Sequence, residues 1–335
     1  MSHNKIRGTI LSLVIVLLCS ILNGCGWQNN TSDTEKEKVT VRVGSMKGPT
    51  SMGLLFLMEE AARGESENSY EFQMATGADE LLPLMVKGEL DIALVPANVA
   101  SVLYQKTQGG ISVININTLG VLYMVSGDAT VQSVADLAGR TIYLTGKGTT
   151  PDYVLRYILS QNGMKDGDYV LEYKSEATEV AALLAENTDA IGLLPQPFVT
   201  AACAQNEALS VVLDLNDEWS RVQKTDGSSM VTGVTVVRND FLKEREAVVK
   251  SFLEEHGESV KAINKDADTG AIYAVEQQIV AKESIARNAI PNCNITCITG
   301  EEMRKALTGY LNVLYEQAPE AVGGALPGED FYYVP

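Results

Sequence analysis

Short β-branched runs give way to helical periodicity along this chain, and the change is made twice in the same way. Val39-Thr-Val-Arg-Val-Gly-Ser-Met-Lys-Gly-Pro-Thr-Ser-Met-Gly53 and Thr141-Ile-Tyr-Leu-Thr-Gly-Lys-Gly-Thr-Thr-Pro-Asp152 each read as strand, tight turn and helix N-terminus, with Lys47 and Lys147 in equivalent turns. Downstream, Asp91-Ile-Ala-Leu-Val-Pro-Ala-Asn98 is matched by Asp189-Ala-Ile-Gly-Leu-Leu-Pro-Gln196, each after an amphipathic helix (Glu80 to Lys87; Thr178 to Glu186). Lys to Asp is 44 residues in one copy and 42 in the other, which points to two related α/β lobes.

In the first copy Thr50 or Ser51 is expected to cap a helix running to Arg63 and ended by Gly64. A strand is expected over Tyr70–Ala75, and the next turn at Thr76-Gly77-Ala78-Asp79. Strand-helix-strand-helix-strand with right-handed crossovers makes the strands parallel and puts the loops Lys47–Ser51, Thr76–Asp79 and Pro96–Asn98 on one edge. The second copy places Lys147–Pro151, Ser175–Ala177 and Pro195–Pro197 likewise, with Thr150 as N-cap, Pro151 opening the helix, Asp152 in its first turn and Gly163 at its stop. Thr118–Ser126 and Ser228–Arg238 read as the crossings between lobes. Beyond them the pattern is helical, over Asp240–Asn264, Thr269–Lys282 and Glu301–Gln317. Two crossing strands make a hinge.

The 335 residues, 45% hydrophobic, suffice for two cores. The first 24 read as a leader: Lys5 and Arg7, an apolar Ile10–Leu22 too short for a comfortable span, then Leu22-Asn-Gly-Cys25. Cys25 is the expected lipidation site and residues 25–38 a polar tether. Losing Lys5 and Arg7 would take the formal net charge from −17 to −19, which disfavours nucleic acid. Cys203, Cys293 and Cys297 remain, an odd count. In an extended Cys293-Asn-Ile-Thr-Cys297 the α-carbons lie roughly 13 Å apart, so buried or free thiols are expected.

Enzymatic signatures are weak. His256 sits in the polar run Glu254-Glu-His-Gly-Glu258, expected on an exposed helix face, with no nucleophilic Cys beside it in sequence. Gly146-Lys147-Gly148-Thr149 lacks the Ser or Thr that a P-loop carries directly after its Lys. Asn264-Lys-Asp-Ala-Asp-Thr-Gly270 has Val275 where a calcium loop carries Glu, and helix capping by Asp268 accounts for it better. No metal or cofactor is expected.

A lipoprotein Cys, the Lys47-Gly-Pro-Thr-Ser51 turn, the Asp-(apolar)4-Pro strand ends and the closing Leu326-Pro-Gly-Glu-Asp-Phe-Tyr-Tyr333 together resemble the solute-binding proteins of ABC importers, in the branch serving sulfonates, nitrate, taurine and thiamine precursors. The resemblance covers residues 39–335. It implies an α/β fold of two Rossmann-like lobes joined by two crossover strands (type II periplasmic-binding-protein, Venus flytrap), with the C-terminal helices packing on the first lobe. Lobe 1 would be 39–122 and 233–335 and lobe 2 123–232, with hinge strands near 118–126 and 230–238. Implied partners are a small solute, an ABC permease and its ATPase, and the membrane through Cys25, for a monomer on the extracytoplasmic face.

The ligand loops so implied hold Lys47, Gly48, Pro49, Thr50, Ser51, Thr76, Gly77, Asn98, Lys147, Thr149, Thr150 and Gln196. Two helix N-termini with hydroxyls and Lys would suit a carboxylate or sulfonate. Tyr104, Tyr123, Tyr153, Phe198 and Trp219 could instead sandwich a planar pyrimidine-type solute. The cysteine-rich motif of pyrimidine-precursor-forming relatives is missing, which speaks against a third possibility, an enzyme of this fold acting on a bound pyrimidine.

Overall fold

The computed structural model describes residues 38–223 and 228–335. The leader, Cys25 and most of the tether lie outside the described residues. The chain runs β1 (Thr40–Met46), α1 (Pro49–Met52), α2 (Leu55–Ala62), β2 (Ser69–Ala75), α3 (Ala78–Lys87), β3 (Ile92–Pro96), α4 (Ala97–Lys106), β4 (Ile111–Leu119) and β5 (Leu122–Ser126). Then come β6 (Thr141–Thr145), α5 (Thr150–Gln161), β7 (Val170–Lys174), α6 (Ala177–Glu186), β8 (Ile191–Pro195), α7 (Phe198–Gln205), β9 (Ser210–Asp214) and α8 (Leu215–Val222). β10 (Val231–Arg238), α9 (Asn239–Glu244), α10 (Glu246–Lys265), α11 (Ala267–Glu276), α12 (Glu283–Ala289), β11 (Ile295–Ile298) and α13 (Gly300–Gln317) complete it.

Two sheets carry the two lobes, in the orders β11-β4-β10-β3-β1-β2 and β7-β6-β8-β5-β9. In each, the first strand of the copy pairs in parallel with the next two: β1 with β2 and β3, β6 with β7 and β8. Their carboxyl ends therefore share one edge. The antiparallel strands beside β3 and β8 are β10 and β5. Both lobes are mixed α/β.

One hydrophobic cluster runs from the first sheet (Val95, Ile116, Val234) through Met230, Trp219 and Tyr310 to the second (Ile142, Leu144, Leu193). Separate clusters cover the far faces, Phe252 and Ile263 behind the first sheet and Val180 and Leu184 behind the second.

Several local expectations are corrected. The strand expected over Thr118–Ser126 is two strands in different sheets, split at Gly120-Val121. A Cβ on Gly120 would stand 1.9 Å from Met230 Cε and 2.9 Å from Asn216 Oδ1, so the chain turns there in a space that suits Gly. The helix expected from Thr50 to Arg63 breaks at Gly53, where a Cβ would come within 3.0 Å of both His256 and Val260. The segments expected to be helical over Asp240–Asn264 and Thr269–Lys282 are interrupted, at Arg245 and after Glu276. Strand β11 lies inside the tail read as wholly helical; a four-residue strand is too short to show a period. It extends the Cys293–Cys297 segment, and Cys203, Cys293 and Cys297 are free thiols. Asp266, not Asp268, caps α11, accepting from Thr269 N at 3.0 Å, while Asp268 pairs with Arg287.

His256 is fully buried rather than exposed. Its acidic sequence neighbours point elsewhere on α10, while the residues at helical spacing, Phe252, Ser259, Val260 and Ile263, share its buried face. It stacks on Phe252 and its Nδ1 accepts from Asn115 Nδ2 at 2.9 Å.

Candidate functional site

At the edge of the first lobe, β1 ends in Met46 and the chain turns at Lys47 and Gly48, whose φ of 139° is a conformation Gly tolerates. Gly48 is the N-cap of α1 and Pro49 its first residue, so Thr50 and Ser51 lie inside the helix and do not cap it. Their hydroxyls turn back to the Met46 carbonyl, and Ser51 Oγ also meets Ser45 Oγ at 2.8 Å. Both are buried, and the Thr50 methyl lies over Gly233 of β10. Lys47 is exposed.

The second loop satisfies itself. Glu80 accepts from Thr76 N at 2.9 Å, from Gly77 N at 3.1 Å and from the Thr76 hydroxyl. Those donors, the hydroxyl first, hold the Glu80 carboxyl below its usual range. The N-terminus of α3 thus already holds an anion, the chain's own.

The second lobe repeats the device. Gly146 and Gly148 take φ of 74° and 69°, and the N-cap of α5 is Thr149, one residue earlier than expected, so Thr150 is the first helical residue and Pro151 the second. Thr149 Oγ1 donates to Gly146 O at 2.6 Å. Asp152 receives Gly148 N at 2.8 Å, Arg156 Nε at 2.7 Å and Tyr173 OH at 2.8 Å. Lys147 Nζ stands 5.5 Å from the Tyr173 ring centroid, over its own lobe. Gly163, at φ 82°, follows the helix end as expected.

Two of the expected residues meet across the lobes: Thr150 Oγ1 donates to Asn98 Oδ1 at 3.4 Å, and Asn98 Nδ2 donates to Ala321 O at 3.4 Å. Gln196 is buried, its Oε1 accepting from Thr200 Oγ1 at 2.8 Å at the start of α7. No hydrogen bond between described residues joins Lys47, Thr76 or Gly77 to the second lobe. A cavity of about 440 Å³ lies between α7 and the 279–285 segment, with Pro197 and Phe198 on one wall and Ile279, Val280 and Ile285 on the other.

The junction also joins three of the aromatic candidates, Trp219, Tyr153 and Tyr123, to residues with no signal in the sequence, Tyr310, Gln317 and Asn292. Trp219 of α8 sits between Tyr157 and Tyr310, with ring centroids 4.9 and 5.4 Å away. Gln317 Nε2 donates to Tyr153 O at 2.9 Å. The 290–294 turn is bonded to the crossing: Tyr123 OH donates to Asn292 O at 2.8 Å, Leu119 N to Asn294 O at 3.1 Å, and Asn294 Nδ2 reaches Gly120 O at 2.5 Å. Tyr310 follows Met303, Ala306 and Leu307 at helical spacing, a pattern that reads as core; only pairing across lobes gives it a role. Of the other aromatic candidates, Tyr104 packs edge-on against Phe331 at the C-terminal segment.

A family model described as menaquinone biosynthesis matches residues 50–316, most of the chain. The chain belongs to that family. Its members and the periplasmic solute-binding proteins are related by fold, and solved structures of the latter superimpose along nearly their whole length. An ABC transporter structure from Parabacteroides distasonis is 23% identical, covers 88% of this chain and 99% of its own, and has a TM-score of 0.74. The periplasmic aliphatic sulphonate binding protein SsuA of Escherichia coli is 15% identical, over 88% and 92%, with a TM-score of 0.70. The ligand-binding component of an ABC-type import system from Staphylococcus aureus, solved with zinc bound, is 13% identical, over 89% and 97%, at 0.65. No curated protein sequence matches. Among the described residues no group of three His, Cys, Asp or Glu is placed to hold a metal, and no helix is long and apolar enough to cross a membrane.

Proposed function

We propose that this chain is the extracytoplasmic solute-binding component of an ABC importer, which closes its two lobes on a small anionic organic solute, sulfonate- or carboxylate-like, and delivers it to a permease. The observation that carries the reading is the junction itself. The edge loops after β3 and β6 meet at Asn98 and Thr150, with one crossing turned at Gly120 between the sheets. A cleft so built moves by rotation at a few residues, leaving each sheet packed. The likeness in fold to sulfonate- and import-associated binding proteins supports the same reading. Cys25 would carry the lipid that keeps the protein at the membrane, as a monomer.

The anion preference is narrower than two open helix N-termini would give. Glu80 and Asp152 already occupy the N–H groups of Thr76, Gly77 and Gly148, and the hydroxyls of Thr50, Thr76, Thr149 and Thr150 donate within the protein, so the solute is left with Lys47, Lys147 and α1. A thermal-shift panel of alkanesulfonates, taurine, nitrate, carboxylates, amino acids and aminopyrimidines tests the reading, because a solute at a hundredfold its Kd adds about 2.7 kcal/mol. Stabilisation by an anion supports it; a response to aminopyrimidines alone supports a planar solute.

The family's description favours a second reading, an enzyme acting on a menaquinone intermediate. His256, the one histidine described, stands behind the first sheet rather than at the junction, and the Asp152 carboxylate is committed to three donors. Turnover of a panel compound by the purified protein would favour the enzyme.

A further inference from the structure

The lobe junction contains two polar groups that the described protein leaves unsatisfied. Trp219, on the helix that follows the second sheet, and Tyr310, on a helix packed against the first, are fully buried. The indole N–H and the phenol O–H have no hydrogen-bond partner among the described residues. Tyr310 OH lies near the Thr150 hydroxyl, which donates to Asn98 Oδ1, but the two oxygens do not meet in hydrogen-bond geometry. Buried donors are nearly always paired, because an orphan forfeits its hydration for nothing. A Phe at 310 would keep the same ring contact without that cost, so the hydroxyl contributes nothing to the ligand-free fold. The nearby backbone donors differ: Gly148 N–H already serves Asp152, and Thr76 and Gly77 serve Glu80.

We propose that the Tyr310 hydroxyl and the Trp219 indole N–H are a donor pair reserved for an acceptor oxygen of the solute, a carboxylate, sulfonate or carbonyl, which they read as the lobes close. The inference rests on the solute-capture reading above and adds which side chains select the solute. Placing the donors on opposite sides of the junction makes the acceptor favour closure, since one oxygen group then bridges both lobes.

The test measures melting temperature and probe affinity for the full chain and for Tyr310→Phe and Trp219→Phe, using methanesulfonate, succinate and nicotinamide as sulfonate, carboxylate and neutral carbonyl probes. Tyr310→Phe is expected to melt about 2 °C higher without probe. Its affinity for whichever probe binds the wild type falls about tenfold, the loss of one hydrogen bond in a dry site. Trp219→Phe, which removes the second donor and keeps an aromatic ring, shows the same loss of affinity. A lower melting temperature for Tyr310→Phe would show that its hydroxyl already has a partner and overturn the proposal. A probe that binds wild type and Tyr310→Phe equally leaves solute capture standing and removes this inference. If none of the three binds the wild type, the pair reads no acceptor of these classes and the inference fails.

Discussion

Replacing Asp152 with Ala tests how the turn at Lys147 is held. The carboxylate is 7% exposed and receives three donors, Gly148 N, Arg156 Nε and Tyr173 OH, at 2.7 to 2.8 Å. Removing one member of a buried pair ordinarily costs 3–5 kcal/mol, roughly. Arg156 is 35% exposed and keeps Asp166 at 3.0 Å, so part of that is recovered and a loss of about 2–3 kcal/mol is expected. With an unfolding entropy of about 2.1 cal/mol/K per residue over the folded unit 38–335, this lowers Tm by about 4 °C. Asp152→Asn still accepts from Gly148 and Tyr173 and should lose about half as much. The Ala variant also vacates the N-terminus of α5, so tens of millimolar sulfate should raise its Tm more than that of the wild type. Urea melts and a sulfate titration decide the matter. A variant within 0.5 kcal/mol of wild type, or equal response to sulfate in both, would refute the reasoning.

Two further predictions concern the first lobe. Burial lowers the His256 pKa from 6.5 to about 4, so between those values the unfolded chain binds a proton that the native state excludes. This contribution is complete above pH 6.5 and is lost as pH falls toward 4, about 3 kcal/mol in all. His256→Gln should flatten the change in urea midpoint between pH 7 and 4.5, and an unchanged slope would contradict this. At Gly233 a Cβ would meet Asn117 Oδ1 at 2.4 Å and the Thr50 methyl at 2.6 Å, so Gly233→Ala should cost about 1–3 kcal/mol by chemical melt and weaken solute binding by displacing α1. Full stability would show that α1 shifts freely.

The two sheets were legible because the sequence writes their edge twice, in β-branched runs that stop at Gly beside Lys47 and Lys147 and in the strand ends at Pro96 and Pro195. What escaped the sequence depends on contacts between distant segments. The break of the first helix needs His256 and Val260 against Gly53, about two hundred residues away. His256 has acidic sequence neighbours that suggest an exposed face, but the 3.6-residue period places it with Phe252 and Val260. Within the site, the hydroxyls and turns were recognisable, but their occupants were not. Glu80 and Asp152 read as helix-opening acids, and only their distances to Thr76, Gly77 and Gly148 show that they fill the seats assigned to a solute anion.

Hydrogen–deuterium exchange of the protein with and without its most stabilising panel compound tests solute capture between the lobes most directly. The account predicts new protection at the facing segments, residues 97–100, 148–153 and 308–312, with the outer faces unchanged. Protection confined to the outer cavity lined by Leu253, Gly257 and Cys297, with those three segments unaffected, would contradict it.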